Sequence, residues 1–357
     1  MRAIAGWNDA ATRACLRADR PVRVVRDWAE GGGDRTNREG RSGPKAHVVL
    51  KTMISAAPII FDRELVRARQ RRAARLAASN FLVDRAAEDL SDRLAAVLRR
   101  FECAVDVGTP NDAVHRALAA SGKVGTIIAV DRSPAALHGG AAAAGARLVV
   151  AADEEALPFR DASLDLVVSV LAFQFVNDLP GTLIQIRRAL KPDGLLLAAL
   201  VGGDTLIELR QAFAAAEVEI EDGVSPRVAP FADVRDTGAL LQRAGFALPV
   251  ADVDRMTARY SSPFELMHDL RRMGATNPLV ERSRRPLKRA TLRRMAEIYA
   301  ERFADPDGRI RATFEVVWLS GWVPHDSQQK PLAPGSAELR LADLLGTRET
   351  KLLRDSE

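Results

Sequence analysis

The stretch Ala152–Leu200, "ADEEALPFRDASLDLVVSVLAFQFVNDLPGTLIQIRRALKPDGLLLAAL", decides the fold. It runs through an acidic turn, a hydrophobic strand, a polar loop, a helix, a Lys-Pro-Asp-Gly turn and a second strand. That order is one half of a doubly wound α/β sheet, whose ligand edge lies beyond the carboxyl ends of the strands. Pro192 and Gly194 suit a turn that stops the helix and launches the apolar strand after it. Working upstream, "CAVDV" (Cys103–Val107), "TIIAV" (Thr126–Val130) and "RLVVA" (Arg147–Ala151) add three more buried strands, with the helix "DAVHRALAA" after the first. Leu164–Val170 and Leu195–Val201 continue the series. Their unbroken apolar character predicts a sheet covered on both faces. Downstream, "GFALPVADVD" and "TFEVVWLSGW" are the strands expected to complete it, with an Arg-rich helical insertion between them.

Upstream of Cys103 the period changes to 3.6. "IIFDRELVRARQRRAARLA" and "FLVDRAAEDLSDRLAAVLRRF" predict two helices. The cluster Arg67, Arg69, Arg71, Arg72 and Arg75 reads most simply as a solvated face, with docking of an acidic partner as the competing reading. Residues 1–52 have no periodicity and read as a disordered tail, dispensable for folding, with Met53 as an alternative start. The expected organisation is therefore a disordered basic tail over 1–52, N-terminal helices over 53–102 and an α/β core over 103–254. A helical insertion and final strand follow over 255–330, then a C-terminal tail over 331–357.

Charge narrows the function classes. The chain of 357 residues has formal charge +5. Residues 1–52 hold 11 Lys and Arg against 6 Asp and Glu, which leaves 41 of each sign in the body. A neutral body lacks the basic footprint of a nucleic-acid binder. No apolar run reaches the roughly 18 residues of a membrane span, so membrane contact would be peripheral. Cys15 and Cys103 stand far apart in sequence and suit a reduced intracellular protein. Neither they nor the five histidines follow a metal-ligand spacing, and no metal is expected.

The chemistry-bearing residues are sought just after each strand. Asp106 and Gly108 frame the first strand end, where a glycine lets a ligand approach the backbone. Asp131 follows the second strand and can accept from both ribose hydroxyls of a nucleoside, capping of the next helix being the competing role. Asp153 and Glu154 follow the third, placed to meet an adenine amino group. Phe173, with Gln174 and Phe175, follows the fourth as a floor between cofactor and substrate. After the fifth, Gly202 and Gly203 suggest room for a ligand or a moving lid, and Asp204, Glu208 and Arg210 are the catalytic candidates.

These pieces together resemble a class I S-adenosylmethionine-dependent methyltransferase domain. "FDRELVRARQRRAA", "DEEALPFRDASLDLVVS", "GGDTLIELR", "FELMHDLRRMG" and "GWVPHDSQQKP" resemble more closely the family of the mitochondrial complex I assembly factor NDUFAF5 and its alphaproteobacterial relatives, over about residues 59–331. The malonyl-acyl-carrier-protein O-methyltransferase of biotin synthesis is a more distant likeness. The resemblance implies a Rossmann-like fold, S-adenosyl-L-methionine as cofactor and a bacterial cytoplasmic location, equivalent to the mitochondrial matrix. The implied partner is a complex I subunit, hydroxylated on an arginine in the assembly-factor branch. The alternatives are carboxyl methylation of a substrate held on acyl-carrier protein, and a non-catalytic assembly chaperone. Two departures stand out. Pro110 and Asp112 occupy glycine positions of the family's Gly-x-Gly-x-Gly loop, and are expected to weaken the cofactor site. Gln174-Phe175 stands where the assembly-factor branch tends to have His-Trp.

Overall fold

The computed structural model describes residues 15–16, 23–25, 58–76, 79–132, 148–221, 223–329, 343 and 345–347. Its strands are β1 (Arg23–Val25), β2 (Phe101–Val107), β3 (Val124–Asp131), β4 (Leu148–Ala151), β5 (Leu164–Val170), β6 (Leu190–Val201), β7 (Ala247–Tyr260) and β8 (Ile310–Trp322). They form one sheet in the order β1-β4-β3-β2-β5-β6-β8-β7. Strands β4, β3, β2, β5 and β6 are parallel, while β8 runs antiparallel to both β6 and β7. The order reverses between β2 and β5. Such a reversal opens a crevice at the carboxyl edge of a doubly wound sheet.

The helices are α1 (Arg63–Ala73), α2 (Phe81–Ala96), α3 (Ala113–Ala120), α4 (Leu179–Ala189), α5 (Ile207–Glu221), α6 (Val234–Arg243), α7 (Pro263–Arg272) and α8 (Arg289–Phe303). They cover both faces, and strand residues alternate between two cores. Leu195, Leu197 and Ala199 of β6 face the core built with α2, α3, α5 and α8. Leu196, Ala198 and Leu200 face the core built with α4 and α6. Two-sided burial is why the strands carry unbroken apolar runs. At the exposed end of α2, Lys123 Nζ donates to the carbonyls of Leu94, Ala95 and Val97 at 2.5, 3.0 and 2.5 Å. A cation on the last carbonyls closes the helix end.

Four expectations change. The tail over 1–52 is not wholly disordered: Cys15 and Leu16 are buried in the second core, and β1 pairs antiparallel with β4. Arg160 fixes the segment, donating from its backbone to the Cys15 carbonyl at 2.9 Å and from Nε to that of Leu16 at 2.8 Å. The remainder of 1–52 lies outside the described residues. Secondly, Cys15 and Cys103, remote in sequence, meet with both thiols free and their Sγ atoms 3.4 Å apart. Thirdly, Lys191-Pro192-Asp193-Gly194 is taken up inside β6: Leu190 already pairs with Leu164, and Asp193 takes the bend with φ +61°. Fourthly, β7 carries the core past the expected boundary at 254, and the insertion begins at α7.

The chain divides into two units, Met1–Pro324 and His325–Glu357. In the second, His325 Nδ1 lies 2.7 Å from Ser327 Oγ. Most of the expected 331–357 tail, including most of "AELRLADLL", lies outside the described residues.

Candidate functional site

Four strand ends converge on one cleft. After β2 the chain turns at Gly108, with φ +73° and its N–H donating to the Val130 carbonyl at 2.7 Å. A Cβ there would stand 2.8 Å from Ala172 Cβ and 3.3 Å from Glu154 Oε1. Both the dihedral and the close approach require glycine. Asp106 is buried and accepts from Thr109 Oγ1, which itself accepts from Val170 N–H at 3.2 Å. That link ties the loop to the end of β5. Gly108, Asp131 at the end of β3, Glu154 after β4 and Ala172 after β5 all line the cleft, with Phe175 beside them.

Helix α1 forms the roof through Arg63, Val66 and Arg67. Asp62 caps it, accepting from Leu65 N–H at 3.0 Å, and also pairs with Arg282 at 3.2 Å. Arg63 Nη1 lies 2.7 Å from both Asp153 Oδ1 and Glu155 Oε2, and its Nη2 pairs with Glu154. Arg132 adds a contact to Asp153 at 3.2 Å. Two guanidiniums thus hold three successive carboxylates. Burial pushes the Glu154 carboxyl up to about 7, outweighing the pull of Arg63 and Arg132. Burial also acts to raise Asp153, but the Glu155 N–H and the two arginines outweigh it, and Asp153 sits below the usual carboxylate range. Beneath α1 the cleft holds only about 30 Å³.

Not every expected residue joins this cleft. Phe173 is buried in the second core, and Phe175, two residues on, takes the cavity position. Glu208 is buried against β8, accepting from Thr313 N–H at 3.1 Å and Thr313 Oγ1 at 2.6 Å. Asp204 is exposed and pairs with Arg255 at 3.3 Å. Arg210 Nη2 reaches the carbonyls of Thr205 and Ala229 at 3.5 and 3.4 Å. None of the three lines the cleft. The paired glycines are packing devices: a Cβ on Gly202 would stand 2.3 Å from Val317 Cγ2, and Gly203 has φ +42° beside Glu315. Pro110 is exposed, and Asp112 is held by Arg116 at 3.1 Å, one turn along α3. Sequence reasoning missed Arg63 and Arg132. Its available signal was the run Asp153-Glu154-Glu155, since three adjacent part-buried acids need cations. Nor was the Arg67–Arg75 cluster wholly a solvated face: Arg69 Nη1 turns inward to the Thr276 and Asn277 carbonyls.

A second cavity of about 250 Å³ lies next to the cleft and shares Phe175 with it. Leu206, just before α5, and Leu209 and Phe213 of α5 line one wall, and Phe231 and Met267 another. A small polar cleft beside a larger apolar cavity can place a cofactor against a substrate group.

The residues fit a nucleoside cofactor in kind: a glycine that admits close approach, a carboxylate after β3, acids after β4 and an aromatic ring. Asp131 suits ribose, Glu154 or Asp153 an adenine amino group, and Phe175 an apolar face. They do not fit one in volume with α1 in this position, since small-molecule sites enclose about 300–1,000 Å³ and this cleft holds about 30 Å³.

The strand order and the placement of these residues define a class I methyltransferase fold. The methyltransferase domain family matches residues 105–198, the span from β2 to β6. "Arginine-hydroxylase NDUFAF5, mitochondrial" of Rattus norvegicus is 38% identical over 337 residues, covering 93% of this chain and 98% of its own. The Homo sapiens protein of that name is 38% identical over 288 residues, 80% of this chain and 83% of its own. The chain belongs to the NDUFAF5 family. A "Malonyl-[acyl-carrier protein] O-methyltransferase" of Gallionella capsiferriformans is 41% identical over 180 residues, 50% of this chain and 59% of its own.

Proposed function

We propose that the chain binds S-adenosyl-L-methionine across the ends of β2, β3, β4 and β5, and acts on a protein partner in the assembly of respiratory complex I. The observation that carries the first part is the convergence of Gly108, Asp131, Glu154 and Ala172 on one cleft. Family membership carries the second. When bound, the cofactor supplies a methyl group on a positively charged sulfur. The chain's own residues bind and orient: Asp131 accepts from ribose hydroxyls, Asp153 or Glu154 meets the adenine amino group, and the Gly108 backbone borders the methionine portion. Asp106 acts through Thr109, holding that loop against β5. Phe175, in the place expected of Phe173, separates the cofactor from the partner's group.

Methyl transfer asks chiefly for proximity and alignment of the reacting groups. Asp204, Glu208 and Arg210 serve here as positioning residues for α5 and β8. Asp112, held by Arg116, is kept from opposing the cofactor's carboxylate. Entry requires α1 to lift from the three carboxylates, which makes Arg63 the closing contact. The working place is the bacterial cytoplasm, the counterpart of the mitochondrial matrix, with peripheral contact to the membrane that holds complex I. The test is genetic. Deleting the gene should lower the amount of assembled complex I on native gels, and the wild-type chain but not Asp131→Ala should restore it. Unchanged complex I in the deletion would overturn the reading.

A further inference from the structure

Cys15 and Cys103 are the chain's two cysteines, and the cleft uses neither. The fold brings them together across 88 positions of sequence, both buried, both free and 3.4 Å apart at Sγ. Cys103 is fixed in β2, where its N–H donates to Asp165 Oδ2 at 2.9 Å. Cys15 belongs to a segment held from one side. Its carbonyl accepts from Arg160 N–H at 2.9 Å and from Ser163 Oγ at 3.3 Å, and the Leu16 carbonyl accepts from Arg160 Nε at 2.8 Å. The two sulfurs are unequal. The hydrogen bond from Cys103 pulls the Cys15 thiol below its ordinary value against the effect of burial, and the charge of Lys191 helps. The same hydrogen bond, with burial, pushes Cys103 well above its own. Cys15 is therefore the thiolate of the pair and Cys103 the proton donor, the asymmetry of an attacking and a resolving cysteine.

The segment also brackets the turn that carries the three carboxylates of the cleft. Before that turn, Arg23 of β1 pairs with Ala151 of β4; after it, Leu16 pairs with Phe159. Asp153, Glu154 and Glu155 lie between. We propose that Cys15 and Cys103 are a redox site that takes a hydroperoxide as oxidant, closing a reversible disulfide that clasps the N-terminal segment and the carboxylate turn to β2. The oxidant reaches the pair when the segment opens locally. The Cys15 thiolate attacks one peroxide oxygen, the O–O bond breaks, and the leaving oxygen takes up a proton as water. The sulfenic acid formed on Cys15 is then attacked by the Cys103 sulfur. The S–S bond forms, the S–O bond breaks, and the Cys103 proton leaves with the hydroxyl as a second water. Two electrons pass from the two sulfurs to the peroxide. An external dithiol returns them by exchange. In a reducing compartment such a pair stays as thiols until an oxidant arrives.

The experiment exposes the full folded chain to hydrogen peroxide, then alkylates it under denaturing conditions and reads the digest by mass spectrometry. One intramolecular bond is expected: both alkylatable thiols lost, a mass lower by two hydrogens, and a peptide pair joining Cys15 to Cys103, all reversed by dithiothreitol. The oxidised chain should melt about 5–10 °C above the reduced one, because the bond closes a loop of 88 positions. Under the same exposure, Cys103→Ala should accumulate a sulfenic acid on Cys15 that dimedone traps, while Cys15→Ala should keep Cys103 as a thiol. Both thiols still alkylatable in the exposed wild-type chain would overturn the proposal. So would sulfinic acid without a bond, or disulfide-linked dimers in place of the internal bond. A bond with no rise in melting temperature would overturn the clasp, and dimedone trapping on Cys103 as readily as on Cys15 would overturn the assignment of Cys15 as the attacking sulfur. None of these outcomes depends on cofactor binding, so this proposal and the methyltransferase reading fail separately.

Discussion

At the scale of single residues, Glu154 has the largest consequence. Its carboxyl lies at about 7 in the folded chain against an ordinary 4.5. Between those values the native state holds a proton that the unfolded chain has lost, so stability falls as pH rises through that window. For a difference of this size the loss is about 3 kcal/mol. Asp153 works the opposite way, with its contribution lost only as pH falls through its depressed range. Urea unfolding at pH 5 and pH 8 should therefore show a smaller loss of stability in Glu154→Gln than in the wild type. Equal losses would mean that Arg63 and Arg132 keep the carboxylate ionised throughout. Gly108 and Asp131 were legible in the sequence because a doubly wound sheet fixes where ligands lie, and the apolar strands marked their own ends. Phe175 was harder to separate from Phe173, since the two flank one short 3-10 turn with no strand period to assign their faces. The partner of Glu154 was hidden, being Arg63, 91 residues away in sequence.

At the scale of elements, the order of strands and helices could be read from periodicity, while the N-terminal segment could not. Cys15 and Leu16 are two apolar residues in a stretch of charges and glycines, too short for any period. Only the fold supplies their neighbours, Cys103 and Phe159. Likewise, the 3.6 period of α1 announces a helix, but arginines on several faces hide which one turns inward. Removing residues 1–52 deletes β1 and the burial of Leu16, worth about 1.5–3 kcal/mol for a buried leucine. A chain starting at Met53 should melt several degrees lower, at about 2–4 °C for each kcal/mol lost in a domain of this order. Differential scanning calorimetry measures this directly. Melting within about a degree of the full chain would show that the segment does not pack on the body.

At the scale of the whole molecule, the sheet reversal between β2 and β5 sets the position of the cleft, and α7, inserted between β7 and β8, helps wall the cavity beside it through Met267 and Leu270. The insertion was visible as an Arg-rich helical stretch, yet the place of α7 in a cavity wall arises only from tertiary packing. The glycine pair after β6 misled for the same reason: close packing on β8 and room for a ligand both select glycine, and only the positions of Val317 and Glu315 distinguish them. The account depends on the cleft at the strand ends holding S-adenosylmethionine once α1 lifts. Calorimetric titration of the full chain with that cofactor is the most direct test, run beside Asp131→Ala. One-to-one binding is expected, weakened about tenfold or more in the variant by the lost charge-assisted bond to ribose. Absence of binding to the wild-type chain, or equal affinity in the variant, would contradict it.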